Sequence, residues 1–245
     1  MANWSDPRSN ATAFASGSDV RGAAYDAGLR SYMLSVYNYM ASGILLTGIV
    51  ALAFATSGAA AQAFTGGGPL SWIIKLAPLG FVFAMSFGQG RMSMPTLQAM
   101  FWGFAVSMGL SLSTIFLVYS DVAIAQAFFA TAAGFAGLSL YGYTTKRDLS
   151  VFGTFLVMGL VGLIVASLLN FFLQSGPLAF VISLVGLLIF AGLTAYDTQR
   201  TKSMYAQVAG TEDEGRVVIM AALNLYLDFI NMFLFILRLF GSSRN

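Results

Sequence analysis

Two aspartates, Asp197 in Ala195-Tyr196-Asp197-Thr198-Gln199-Arg200 and Asp228 in Leu225-Tyr226-Leu227-Asp228-Phe229-Ile230-Asn231, fall at the end and in the middle of long apolar stretches. An ionised carboxylate at the centre of a bilayer costs about 2.5–3.5 kcal/mol on insertion scales, so such a group faces a bundle interior or a water-filled cavity. Two of them in consecutive apolar stretches point to the handling of protons or cations. Asn224 and Asn231 stand at i−4 and i+3 from Asp228, so one helix face presents amide, carboxylate and amide. Thr194, Asp197, Thr198 and Thr201 continue one face in the same way. Histidine and cysteine are both absent. That removes disulfides, Cys/His metal sites, Ser-His and Cys-His nucleophile pairs and any histidine pH switch. Whatever chemistry the chain performs rests on oxygen ligands.

The elements that hold these groups are dictated by composition. The chain has 245 residues, of which 58% are hydrophobic and 9% charged, against about 25% charged in an ordinary soluble domain; its mean hydropathy is +0.78. This is the composition of an integral membrane protein. No segment alternates apolar and polar residues as a membrane β-barrel requires, so helices must cross the bilayer and the fold class is all-α. A net charge of +2 without a basic stripe excludes nucleic acid as a partner. Residues 1–30 are polar and rich in Ser, Ala and Gly, with no signal-peptide core, and are read as a flexible cytoplasmic tail.

With about 20 apolar residues needed per span, residues 31–245 form one transmembrane domain of seven helices: Val36–Thr56, Leu70–Phe87, Ala99–Val118, Val122–Tyr143, Leu149–Leu173, Pro177–Tyr196 and Val217–Phe240. Gly66-Gly67-Gly68-Pro69 and Ser175-Gly176-Pro177 are turn signals, and Thr144–Asp148 is a charged hairpin loop. Only the connection Thr198–Arg216 is longer. Arg21, Arg30, Arg91, Lys146, Arg147, Arg200, Lys202 and Arg216 fall on one side, against Lys75, Arg238 and Arg244 on the other. By the positive-inside rule the N-terminus is cytoplasmic, and an odd number of spans puts Asn245 outside.

Span 2 is the least regular, because Pro78 removes a backbone donor and Lys75 lies one turn inside it. Lys75 and Trp72 are expected to anchor that span at the outer interface. Gly103, Ser107, Ser111 and Thr114 line one side of span 3, and Gly134, Gly137, Gly159 and Gly162 recur in spans 4 and 5. Such stripes are expected to serve close helix packing.

Depth separates the two aspartates. Asp228 lies eleven residues into its apolar run, about 17 Å deep and near the midplane. Asp197 comes about 20 residues after Pro177, which leaves it either an interfacial residue or part of a span that continues into a cytoplasmic vestibule. On the apolar boundaries the two are about 13 Å apart in depth, a gap that helix tilt or a later bilayer entry of span 6 must close.

Ala195-Tyr196-Asp197-Thr198-Gln199-Arg200, followed by Leu225-Tyr226-Leu227-Asp228-Phe229-Ile230-Asn231-Met232-Phe233 and Leu237-Arg238-Leu239-Phe240-Gly241, resembles the signature of the Bax inhibitor-1 family, the transmembrane Bax inhibitor motif proteins, in its bacterial branch. The similarity extends over Phe101–Tyr119 and the Thr145–Ser150 loop. The resemblance implies a central seventh helix surrounded by the other six, a bacterial inner-membrane location, and a pH-gated leak pathway for Ca2+, carried as transported ion and not as cofactor. It also implies that Asp197 and Asp228 form a carboxyl pair acting as pH sensor, with an arginine at the cytoplasmic end of span 2 able to latch onto it. Arg91 is the candidate latch, although the Phe87–Met92 loop is poorer in basic residues than the family's usual one. The long span 6 to span 7 connection, with Glu212-Asp213-Glu214, is a further departure.

Two carboxyls close together in low dielectric do not both ionise cheaply, so they share one proton and titrate in two separated steps. With the proton shared they hold spans 6 and 7 together; with both charged they repel, or recruit Arg91 or a cation. Ca2+ prefers several oxygen ligands, so Asp197 and Asp228 with Asn224 and Asn231 make a weak, transient metal site suited to passage.

Two other functions fit parts of the sequence. A non-conducting regulator that binds a membrane protease or other membrane protein would use the tail Met1–Arg30. An intramembrane aspartyl protease would use the same two aspartates, but the second aspartate of such enzymes sits in a Gly-x-Gly-Asp turn where this chain has Tyr226-Leu227-Asp228. The chain is accordingly not expected to be an enzyme, and span 7 has no lysine for a retinal Schiff base.

Overall fold

The computed structural model describes residues 8–65 and 67–242, with side chains from Gly22 onward. It is all-helical: α1 (Arg8–Thr56), α2 (Ala59–Thr65), α3 (Pro69–Gly88), α4 (Met94–Leu112), α5 (Ile115–Val118), α6 (Asp121–Thr144), α7 (Ser150–Leu173), α8 (Gly176–Val208) and α9 (Glu214–Phe240). Among the described residues seven helices are long and apolar enough to cross a membrane, and they correspond one for one to the expected spans.

The helix starts follow local chemistry. Ser93, Ser120 and Ser175 each accept a hydrogen bond from the backbone N–H three residues on, and a proline opens the first turn of α3, α4 and α8. Span 3 is broken into α4 and α5 at Ser113-Thr114, whose hydroxyls donate to the carbonyls of Leu110 and Ser111 at 2.7 and 3.2 Å. Serine and threonine bonded back to their own helix bend it, so the polar end of the small-residue stripe sets a kink. Near the start of α3 the Lys75 ammonium sits 5.7 Å from the Trp72 ring and 5.5 Å from Phe64 of α2.

At its other end α1 differs from expectation. The helix runs back to Arg8, so the segment read as a tail is helical from there to residue 30; Met1 to Pro7 lie outside the described residues. The last part of this segment, from Gly28 on, is built into the bundle, while residues 22–27 are exposed. Leu29, Tyr32 and Met33 are buried in the main core with Tyr205 and Val218, and the Tyr205 ring lies 5.2 Å from Tyr25 and 5.3 Å from Tyr32.

The seventh span, α9, is the central one. Its buried residues run all round it, from Val218 to Leu237, as expected of a helix surrounded by protein. Four other spans, α1, α4, α6 and α8, pack directly on it, while α3 and α7 lie outermost, α3 against α4 and α7 against α8. The apolar faces of α3 and α7 turn outward, with Leu76, Leu79, Phe83, Val161, Leu168 and Phe172 exposed, as lipid-facing helices require.

The closest helix approaches are not made by the glycines that stand out in sequence. Of those, Gly103 lets α4 close on Phe81 of α3 and Gly159 lets α7 close on Ile189 of α8, Gly134 is only in ordinary contact range of Met232, and Gly137 and Gly162 face open space, whereas Gly142 brings α6 onto the backbone of α8 at Ala195. Nearby, Gln199 ties down the charged loop. Its amide donates to the Arg147 carbonyl at 2.7 Å and accepts from the Leu149 N–H at 2.9 Å, while Asp148 accepts from the Ser150 N–H at 2.9 Å, with its carboxyl held below the usual range by Ser150. Gln199→Ala removes two bonds and leaves the Leu149 donor unpaired, so it is expected to cost about 1–3 kcal/mol. Thermal unfolding in detergent, compared with wild type, measures it.

Candidate functional site

The height of Asp197 relative to Asp228 follows from where α8 ends. That helix continues to Val208 and α9 begins at Glu214, joined by a turn with Gly210 at φ +71°. Measured from this shared end, Asp197 is eleven residues up one helix and Asp228 fourteen up the other, a difference of about 5 Å at 1.5 Å per residue. The apolar runs of the two helices end at different heights, which is why their boundaries separate the aspartates by about 13 Å.

The Asp197 and Asp228 side chains lie close enough to act directly on each other. Asp228 is buried at 3% exposure, and its Oδ2 has no hydrogen-bond partner among the described residues. Asp197 is half-buried. Both line a cleft of about 430 Å3 between α7, α8 and α9, whose walls are Gly153, Val157, Met158, Phe190, Leu193 and Leu227 and whose polar groups are Thr154, Tyr196, Arg200 and Asn224. Arg200, one turn beyond Asp197, acts on it electrostatically.

The other expected residues divide. Asn224 lines the cleft and is exposed. Asn231 does not; its amide donates back to the Leu227 carbonyl at 2.8 Å. Thr194 and Thr198 are fully buried and face the packed side of α8: Thr194 donates to the Phe190 carbonyl at 2.8 Å and reaches Met232 Sδ at 3.4 Å, and Thr198 donates to Ser139 of α6 at 3.2 Å. They position α8 and leave the cleft to Asp197. Arg91 lies exposed on the turn between α3 and α4, outside the residues that line the cleft. The basic residue engaged at that turn is Arg216, which donates to the carbonyls of Gln89 and, at 3.0 Å, Met92, and pairs with Asp213 at 3.5 Å. Among the described residues no three acidic groups gather to hold a metal; the oxygens that line the cleft belong to the two aspartates, Asn224 and the hydroxyls of Thr154 and Tyr196.

Behind Asp228 lies a polar link that the sequence does not single out. Tyr226, fully buried, shares a hydrogen bond of 2.7 Å with Thr47 of α1, which donates on to the Ala105 carbonyl of α4 at 2.8 Å. The Phe104 ring packs edge-on against Tyr226 at 4.9 Å. This link fixes the rotation of α9 about its axis and so aims Asp228, two residues on, at the cleft. A tyrosine in the middle of an apolar run was the available signal, since a buried phenol needs a partner.

Residues 29–245 match the family model described as inhibitor of apoptosis-promoting Bax1. The chain is 47% identical over 224 residues to the uncharacterized protein RP147 of Rickettsia prowazekii, covering 90% of this chain and 93% of that one. It is 44% identical over 221 residues to the inner membrane protein YbhL of Escherichia coli, covering 89% and 94%, and 43% identical over 230 residues to an uncharacterized protein of Caulobacter vibrioides, covering 89% and 91%. With seven apolar spans packed around or beside α9, and a family match that runs from the first span to the last, this chain is a membrane protein of the Bax inhibitor-1 family.

Proposed function

We propose that the protein is a pH-sensitive leak pathway for cations, Ca2+ foremost, in which Asp197 and Asp228 are the proton-sharing gate. The closeness of the two carboxyls carries this reading. Two ionised carboxylates facing one apolar recess repel, so the pair is held together most cheaply with one proton shared between them. In that state the pair ties α8 to α9 across the floor of the cleft. Loss of the proton puts two charges into one apolar recess, where a cation relieves the repulsion. Asn224 supplies a further oxygen, and the small number of ligands favours release over storage. Arg200, already at the cleft, is the cation of the chain that competes for the pair, a role that the family resemblance gives to Arg91. The bacterial relatives, one of them named an inner membrane protein, support the inner membrane as the location, with the N-terminus cytoplasmic.

The test is flux. Purified protein in liposomes loaded with a Ca2+ dye is compared as wild type, Asp197→Asn and Asp228→Asn over a range of pH. An amide keeps the contact without titrating, so both variants are expected to lose the pH dependence that wild type shows. Equal flux and equal pH dependence in all three proteins would sink the proposal.

A further inference from the structure

The ring of helices around α9 is open on one side. α1 and α6 both pack on α9, but no substantial contact joins them to each other. An apolar groove of about 610 Å3 runs between them, walled by Leu34, Met40 and Ala41 of α1 and by Phe135, Ala136 and Leu140 of α6. Through Met40 and Ala41 it continues into a second space of about 380 Å3 backed by Phe229 of α9. From Arg30 to Ala41 the first groove follows α1 for eleven residues, about 16 Å.

The two ends of this groove differ in character. Toward the bilayer interior its lining is apolar, whereas its mouth lies at the end that carries most of the basic residues and holds exposed Arg30 beside Tyr143. The Lys202 ammonium sits 4.6 Å above the Tyr143 ring and donates to the Tyr143 carbonyl at 2.8 Å, leaving two N–H donors free. Arg30 lines the mouth and Lys202 stands against Tyr143, which lines it too, and among the described residues neither cation has an acidic partner within ion-pair distance.

A slot of this shape in a bilayer fills with hydrocarbon, and two unpaired cations at the cytoplasmic interface select what that hydrocarbon is attached to. We propose that the α1/α6 groove is a binding site for an anionic phospholipid of the cytoplasmic leaflet. One acyl chain lies along Leu34, Ala41 and Ala136, and the phosphate is held by Arg30 and Lys202. Basic pockets between transmembrane helices on this side recognise lipid headgroups in general, and the apolar length of the groove adds a requirement for the chain that free phosphate does not meet. This site is separate from the aspartate cleft and does not depend on ion conduction.

Native mass spectrometry of the full-length protein, exchanged against mixed phosphatidylglycerol and phosphatidylcholine of identical acyl chains, reads the preference directly. Wild type is expected to retain phosphatidylglycerol over phosphatidylcholine by on the order of tenfold. Arg30→Gln is expected to reduce this to about twofold or less, and Lys202→Arg to keep it, since charge and reach persist. Ala136→Phe, which fills the groove with both cations in place, is expected to lose the bound lipid, and it carries the test should Arg30→Gln not fold. Inorganic phosphate is expected not to displace the lipid. Equal retention of the two lipids by wild type, an undiminished preference in Arg30→Gln or Ala136→Phe, or displacement by inorganic phosphate overturns the proposal.

Discussion

Gly142→Val is expected to lower the stability of the folded protein by about 3 kcal/mol or more, at the upper end of what overpacking costs. A Cβ at position 142 would land inside van der Waals contact of the Ala195 carbonyl oxygen. The obstacle is backbone, which cannot rotate aside as a side chain does, so α6 and α8 must part. Their separation also pulls on the Thr198 to Ser139 hydrogen bond and on the Lys202 ammonium, which bonds α6 at Tyr143. Gly137→Val is the internal control. It lies on the same helix, costs the same helix propensity, and meets nothing within 4 Å, so its effect is expected to stay within about 0.5 kcal/mol. Thermal unfolding in detergent followed by circular dichroism separates the two; similar losses would mean that the α6/α8 approach is not a limiting contact.

Asp228→Leu is expected to stabilise the fold by about 1–3 kcal/mol while abolishing the leak, because a buried polar atom without a donor costs about that much. Asp228 Oδ2 is such an atom. Leucine is larger than aspartate, but position 228 borders a cleft of about 430 Å3, so the added methyl groups have somewhere to go without displacing the core. Asp197, half-buried and close to Arg200, keeps a counter-charge after the change. A more stable, non-conducting variant would identify Asp228 as a group kept at the expense of stability, the usual pattern at functional sites. A less stable variant would mean that the tie between the two carboxyls outweighs the cost of the unpartnered Asp228 Oδ2.

Much of this architecture was legible in the sequence. Run length located each span to within a few residues except where polar chain stays helical: α8 continues twelve residues past Tyr196 and α1 begins well before Val36. Hydropathy registers where a helix meets lipid and is silent on where it ends. That single limitation produced the apparent depth gap between the aspartates. Asp228, with Asn224 on its face, could be placed from periodicity alone, because an intramembrane carboxylate has few places to point. Asn231 could not, because its amide had a nearer acceptor in the Leu227 carbonyl. Spacing gives the face of a helix and says nothing of a rotamer. The engaged arginines were hidden for a related reason: Arg91, Arg200 and Arg216 look alike in sequence, and only the fold brings Arg200 to the α7/α8/α9 cleft and turns Arg216 onto the carbonyls of the α3/α4 turn.

The outermost position of α7 has a mechanical meaning. α7 leans on α8 and on no other span to any comparable extent, and only Gly153, Leu156 and Leu163 of its 24 residues are buried. It also forms one wall of the cleft that holds both aspartates. A load applied to α7 therefore passes to the rest of the bundle through one seam, so α7 is the least supported wall of a passage whose opposite wall, α9, is the most deeply buried of the seven spans. Widening that passage requires one helix to yield against lipid and leaves the core around α9 assembled.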